Sequence, residues 1–345
     1  MLSTLYGINE KTLSYYFINV ISDFALEKEK EESDEKLFMG KRNTCRPQYI
    51  SKYSKLKKEG YFNSSKLGKN LCVDEKNING KVYTIFSNPD LKQGLVGIIP
   101  GVKSKNVTEL VRKKSKFKDR LIVKEVALDM ARNMEWIARE LFPQARQVVD
   151  RFHVMKNVLG DIQAVRIRLK TGIIKEELDL ETKSKIERIK YSPKEYKLNN
   201  NLSETKKELI TRVRYQLFKR KKDWNDNQKD RWKIIKKLKN LEELVFSYEV
   251  VSDLFDIFDE KKGALSFQQW FSKISKRENI IEMQNSGRIV QNHLVRILAY
   301  FDNKFTNAFA ESLNSRIKRF ISNLRGFKNQ DYMIYRIIRK FDGNF

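Results

Sequence analysis

Five short apolar runs lie between Leu71 and Val149, and what separates them decides which fold they can join. Leu71-Cys-Val-Asp74, Val82-Tyr-Thr-Ile-Phe86 and Leu95-Val-Gly-Ile-Ile99 follow one another without a helical stretch between them, and Asn77-Ile-Asn-Gly80 is a strong turn signal. They predict three strands in a meander. Next, Val107 to Lys116 reads as a helix, Ile122 to Leu128 as a strand, Arg132 to Phe142 as a helix stopped by Pro143, and Gln147-Val-Val149 as a fifth strand. The order β-β-β-α-β-α-β predicts an α/β fold.

Beyond residue 155 the strand signal fades and helical periodicity takes over. Leu209, Val213 and Leu217 fall on one predicted face, and Ile234, Leu238, Leu241 and Val245 on another. Asn199-Asn-Asn201 and Lys261-Lys-Gly263 read as breaks between helices. A strong helix returns over Thr306 to Asn323, closed by Arg325-Gly326, and another runs through Tyr332 to Lys340. At the other end, Leu5 to Phe17 has the form of the second half of a helix-turn-helix, with Gly7 at the turn and Asn9 as cap; an ordinary capped helix fits the same residues. The basic stretch Gly40 to Lys69 reads as a linker.

Charge narrows the function. The 345 residues carry 70 Lys+Arg against 44 Asp+Glu, a formal net charge of +26. Such an excess points to a polyanionic partner, most simply nucleic acid, although abundant Lys, Asn and Ile also suit an AT-rich coding sequence. No apolar run reaches the roughly 18 residues of a membrane span. The N-terminus lacks the pattern of a secretory signal, and two cysteines, Cys45 and Cys72, build neither a disulfide framework nor a Cys-only zinc site. A cytoplasmic protein is expected. Cys72 is expected to be an inert strand residue, and Trp224 and Trp232, set among lysines, either pack a helical core or stack on exposed bases.

Asp74 and Asp129 share a local grammar: each follows an apolar strand, so each side chain is expected at a strand's end, where open α/β sheets collect functional groups. An aspartate there also serves as a turn former or cap. A third carboxylate, Glu311, shares a helical face with Asn314, Ser315 and Lys318, while Phe309, Leu313, Ile317 and Phe320 supply apolar surface. Three carboxylates from two strand ends and one helix suit two Mg²⁺ ions about 3.5 to 4 Å apart, which activate the attacking oxygen and stabilise the leaving oxygen of a phosphodiester. Asp74 would bridge the two ions.

Three blocks then carry a family resemblance. Leu71-Cys-Val-Asp74-Glu75 with Lys81-Val-Tyr-Thr84, then Val126-Ala-Leu-Asp129-Met130 with Leu141-Phe-Pro-Gln-Ala145 and Val149-Asp-Arg-Phe-His153, then Thr306-Asn307 with Glu311, Asn314, Lys318 and Arg325-Gly-Phe-Lys-Asn329, resemble the DDE transposases of the ISL-three insertion-sequence family. The blocks are in order and span most of the chain.

The resemblance implies a ribonuclease-H-like catalytic core with a large all-helical insertion. It divides the chain into a short helical N-terminal segment (1–68), the first part of the core (69–160), the insertion (161–300) and the closing catalytic helices (301–345). Asp74, Asp129 and Glu311 become the metal-binding catalytic triad, with Asp150 the rival for the second place. The implied cofactor is a pair of Mg²⁺ ions, for which Mn²⁺ substitutes. Arg151, His153, Asn314, Lys318 and Arg319 are the candidate DNA contacts. The implied reaction is cleavage at transposon ends followed by strand transfer into target DNA, carried out by a homodimer on terminal inverted repeats, with no membrane partner. Relatives carry an N-terminal zinc ribbon and a complete helix-turn-helix, which this sequence does not show. The alternatives are a ribonuclease-H-like nuclease without strand transfer, or a truncated, non-catalytic DNA-binding remnant.

Overall fold

The computed structural model describes residues 52–343, apart from 200–201, 261–262, 304 and 325–328. The helix-turn-helix reading at Leu5 to Phe17 and most of the Arg325-Gly-Phe-Lys block lie outside the described residues. The chain divides into two compact units: one runs to Asp150 and resumes after Asn303, and the other is Arg151–Asn303.

The first unit is built on six strands: β1 (Tyr61–Phe62), β2 (Asn70–Ile78), β3 (Lys81–Ser87), β4 (Leu95–Pro100), β5 (Glu125–Leu128) and β6 (Arg146–Val149). Their order across the sheet is β1-β4-β3-β2-β5-β6. β1 to β4, β4 to β3 and β3 to β2 pair antiparallel, whereas β2, β5 and β6 run parallel. The meander predicted from sequence is β2 to β4. Its first turn is a two-residue connection, Ile78 pairing with Lys81, with Asn79 at φ 49° and Gly80 at φ 81°. Positive φ at both positions is what a hairpin following the strand twist requires, and Asn77 Oδ1 accepts from Gly80 N at 2.9 Å.

Helices cover both faces, which is why the central strands read as unbroken apolar runs rather than alternating ones. On one face α1 (Lys52–Glu59), α12 (Ala308–Asn323) and α13 (Gln330–Phe341) pack against Ile78, Tyr83, Ile85, Leu95 and Ile98. The helices contribute Leu56, Leu313, Ile317, Tyr332, Met333, Ile337 and Phe341 to that core. On the other, α2 (Ser104–Lys114) packs on α4 (Arg132–Leu141), with α3 (Phe117–Arg120) between them in sequence. Phe86, alternating with Ile85 along β3, meets Phe62 and Phe142 edge to face at 5.3 and 6.4 Å. The strand expected from Ile122 begins only at Glu125, because Leu121 closes α3 and Ile122 is half exposed.

The second unit is almost wholly helical: α5 (Arg151–Ile186), α6 (Lys206–Arg212), α7 (Asp226–Lys237), α8 (Glu242–Asp259), α9 (Ala264–Ser275), α10 (Ile281–Asn292) and α11 (Leu294–Asn303). At 36 residues, α5 is roughly 54 Å long. Arg168 on it bonds Glu243 of α8 and Glu282 of α10 at 2.7 and 2.8 Å, tying three helices together. The expected face Ile234, Leu238, Leu241, Val245 is not one face. α7 ends at Lys237 and a 3-10 turn over Lys239–Leu241 resets the phase, so Trp232 and Ile235, then Leu241, Leu244 and Tyr248, are the buried residues. A small hairpin, β7 (Glu195–Lys197) with β8 (Ser203–Thr205), stands where the sequence suggested only a break. Trp224 and Trp232 are buried against Tyr248, with ring centroids 5.0 and 4.9 Å away, and Trp224 Nε1 donates to Gln216 O at 3.1 Å. They are packing anchors, not base-stacking surfaces.

Candidate active site

Strand register aligns the first two carboxylates. In the parallel pair β2 and β5, Leu71 lies opposite Val126 and Cys72 opposite Ala127, and continuing the same offset carries Asp74 to the level of Asp129. Both stand just past the last paired residues, at the carboxyl ends of neighbouring strands, which lie about 4.8 Å apart in a sheet. Pairing stops there because β5 ends at Leu128, and Asp129 Oδ1 accepts from Ala131 N at 2.9 Å, turning the chain into α4. Asp74 stays within β2, whose hairpin with β3 continues to Ile78.

α12 delivers the third. Ala310 packs on Cys72 and Ala127, the two residues that precede the aspartates on the same strand face, and its small side chain lets the helix lie close to the sheet. Glu311 follows in the first turn of α12, partly buried. One turn further, Asn314 is buried at 8% exposure, and its Nδ2 donates to Asp74 Oδ2 at 2.6 Å. Asp74 Oδ1 accepts from Glu75 N at 2.8 Å, so this carboxylate is oriented through both oxygens. The N-terminus of α12 is tied down separately: Asp150, at the end of β6, accepts from Asn307 N at 2.9 Å through Oδ2. The rival carboxylate thus anchors the helix that bears Glu311.

Electrostatics mark the same neighbourhood. Burial, with Asp150 and Asp74 adding to it, pushes the Cys72 thiol up to about 12, and its Sγ lies 3.8 Å from Thr306 O; it is the inert residue expected. Lys76, two residues after Asp74, is held below the usual lysine value by burial and by the charge of Lys318, with Asp74 pulling the other way. Two lysines therefore share the surroundings of Asp74. Lys318 was anticipated and Lys76 was not, although the period of two along a strand places it beside Asp74. Glu75, Lys318 and Arg319 are exposed.

Arg151 and His153 open α5 in the other unit. Arg151 bonds Asp259 at 2.6 Å, where Arg220 joins it, and lies over the rings of Phe255 and Phe258 at 6.0 and 5.7 Å. Partial desolvation of the exposed Asp259 would raise its carboxyl, but the hydrogen bonds and charges of Arg220 and Arg151 prevail and hold it below the usual range. His153 is partly buried on the first turn.

The donor set suits a hard divalent cation. Asp74, Asp129 and Glu311 offer carboxylate oxygens, and Asn314 adds an amide Oδ1 that is buried without a hydrogen-bond partner among the described residues. Also among the described residues, no three acidic, histidine or cysteine side chains converge closely enough to enclose an ion. The carboxylates line the end of the sheet without forming a closed cage. No described helix is long and apolar enough to cross a membrane.

No curated protein and no solved structure matches the sequence. A family model does, described as transposase and covering the DDE transposases of the ISL3 (ISL-three) group; it matches residues 71–337, which include both strand-end aspartates, the helical unit and α12. On a match of that extent, the chain belongs to the ISL-three family of DDE transposases.

Proposed function

We propose that the protein cuts a phosphodiester at each transposon end and joins the freed end to target DNA by direct transesterification. The observation that carries this reading is the level alignment of Asp74 and Asp129 at the ends of adjacent parallel strands, beneath a helix whose first turn bears Glu311. The order β4-β3-β2-β5-β6, an antiparallel meander continued by two parallel strands, supports a ribonuclease-H-like core with the helical unit as its insertion.

In this reading Asp74, Asp129 and Glu311 would hold the divalent ions, Mg²⁺ or Mn²⁺. Bound there, the ions supply Lewis-acid activation of the attacking oxygen and stabilisation of the leaving oxygen. Asn314 fixes the orientation of Asp74, and Asp150 fixes the start of the helix that presents Glu311. Lys76, Lys318 and Arg319 hold phosphates flanking the scissile bond. His153 is assigned to the DNA backbone, whereas the pairing of Arg151 with Asp259 favours a structural role.

Water first attacks phosphorus at the element boundary and the 3′-oxygen leaves as a hydroxyl. That hydroxyl then attacks a target phosphorus, forming a new phosphodiester as a target 3′-OH departs. Each step exchanges one phosphodiester oxygen for another nucleophile, and no nucleotide is consumed. Two copies, one per end, act in the cytoplasm.

The test uses duplex DNA bearing an element end, with Mg²⁺ or Mn²⁺. Nicks with 3′-OH termini at the boundary, and joining of pre-cleaved ends to a plasmid target, are expected. Nicking without joining would overturn strand transfer in favour of a nuclease, and the absence of both would overturn the enzymatic reading.

A further inference from the structure

The far half of α5 carries an apolar stripe that no described element covers. Ile167, Ile174 and Leu178 are 54%, 39% and 59% exposed, and with Thr171 between them they recur every three or four residues along one helix face. Singly such residues are ordinary, but a stripe of this kind on one helix is the form of a helix-pairing seam.

The charges beside it identify the occupant. From Ile167 to Glu187 the sequence has five basic residues (168, 170, 175, 183 and 185) and five acidic ones (176, 177, 179, 181 and 187), a net charge of zero in a chain of +26. Glu176 is paired with Lys206 at 3.1 Å, and the block Glu177, Asp179 and Glu181 disfavours nucleic acid. Two copies of so basic a chain repel each other across most surfaces, and this segment is one place where they do not. An antiparallel pairing sets Leu178 of one copy against Ile167 of the other and Ile174 against Thr171, each contact occurring twice by two-fold symmetry. The same register brings Lys170 of each copy towards Glu177 of the other, while Arg168, near the partner's lysines, is already neutralised by Glu243 and Glu282. A parallel pairing stacks the acidic block on itself.

We infer that the outer half of α5 is a self-association surface, through which two copies pair antiparallel by Ile167, Ile174 and Leu178 with Lys170 to Glu177 contacts on the flank. The inference is independent of the assignment of the catalytic carboxylates.

Sedimentation velocity on the full chain without DNA, over a micromolar concentration series, tests it. Wild type is expected to show a monomer–dimer equilibrium, and Leu178→Glu to weaken it about 30-fold or more, because the change places a carboxylate against Ile167 at both ends of the seam. Lys170→Glu and Glu177→Lys are each expected to weaken it, and the double variant K170E/E177K to restore it, which no general loss of folding would do. A wild type that stays monomeric overturns the proposal, including the case in which another segment of the same chain covers the stripe. So does a dimer indifferent to Leu178→Glu, or a double variant no better than the single ones.

Discussion

One hydrogen bond, from Asn314 Nδ2 to Asp74 Oδ2, joins α12 to the strand it covers. Asp74 is thereby oriented by a neutral donor, the role a metal ligand's partner would have in the proposed reading. Groups that orient a metal ligand commonly contribute 10- to 100-fold to metal affinity. Asn314→Ala is accordingly expected to raise the Mg²⁺ concentration for half-maximal cleavage by about that factor and to shrink the Mg²⁺-induced rise in melting temperature. If both are unchanged while the protein stays folded, Asn314 does not position Asp74. In sequence, Asn314 read as part of a polar helix face that would meet DNA; its burial was illegible because a period of 3.6 gives direction around a helix but not what lies opposite. Asp150 hid for a similar reason. Its partner amide is 157 residues away, and no local pattern links them.

At the scale of elements, the helical unit depends on ion pairs that a hydrophobic pattern does not report. Glu204, on β8, is fully buried and bonds Arg231 of α7 through both oxygens at 2.6 and 2.7 Å, and Arg212 of α6 at 2.7 Å. Burial alone would raise its carboxyl, but the two guanidinium groups prevail and hold it below the ordinary value. A carboxyl depressed in the folded state contributes stability above its unfolded pKa, about 4.3, and loses it as pH falls through the folded value. Glu204→Ala leaves Arg231 buried without its counter-charge, so a loss of about 3 to 5 kcal/mol is expected, chiefly from that pair. Urea denaturation followed by helical circular dichroism checks this. The variant's transition should also depend less on pH below about 4 than the wild type's, and a midpoint unchanged at neutral pH would contradict the role. The β7–β8 hairpin was hidden because Glu195–Lys197 and Ser203–Thr205 are short and polar, with none of the alternation that marks a strand. By contrast, β2 to β6 were legible because a sheet covered on both faces writes its strands as apolar runs, and α4 because Pro143 stops it.

Across the whole molecule, charge and its exceptions divide the work. The net +26 supplies affinity for DNA that weakens as salt rises, through release of counterions. In the proposed reading part of the acidic minority has particular tasks: Asp74, Asp129 and Glu311 on the sheet unit, Glu204 and Asp259 in ion pairs of the helical unit, and the acidic residues on the outer half of α5. The proposed chemistry requires Asp74, Asp129 and Glu311 to act as one site. The most direct measurement compares wild type with Asp74→Asn, Asp129→Asn and Glu311→Gln for Mg²⁺-dependent cleavage of element-end DNA, with DNA affinity measured in parallel. Each variant is predicted to lose cleavage by about a thousand-fold or more, a loss of about 4 kcal/mol in transition-state stabilisation, while binding DNA as tightly as wild type. Cleavage at the wild-type rate by any one of the three would contradict the account.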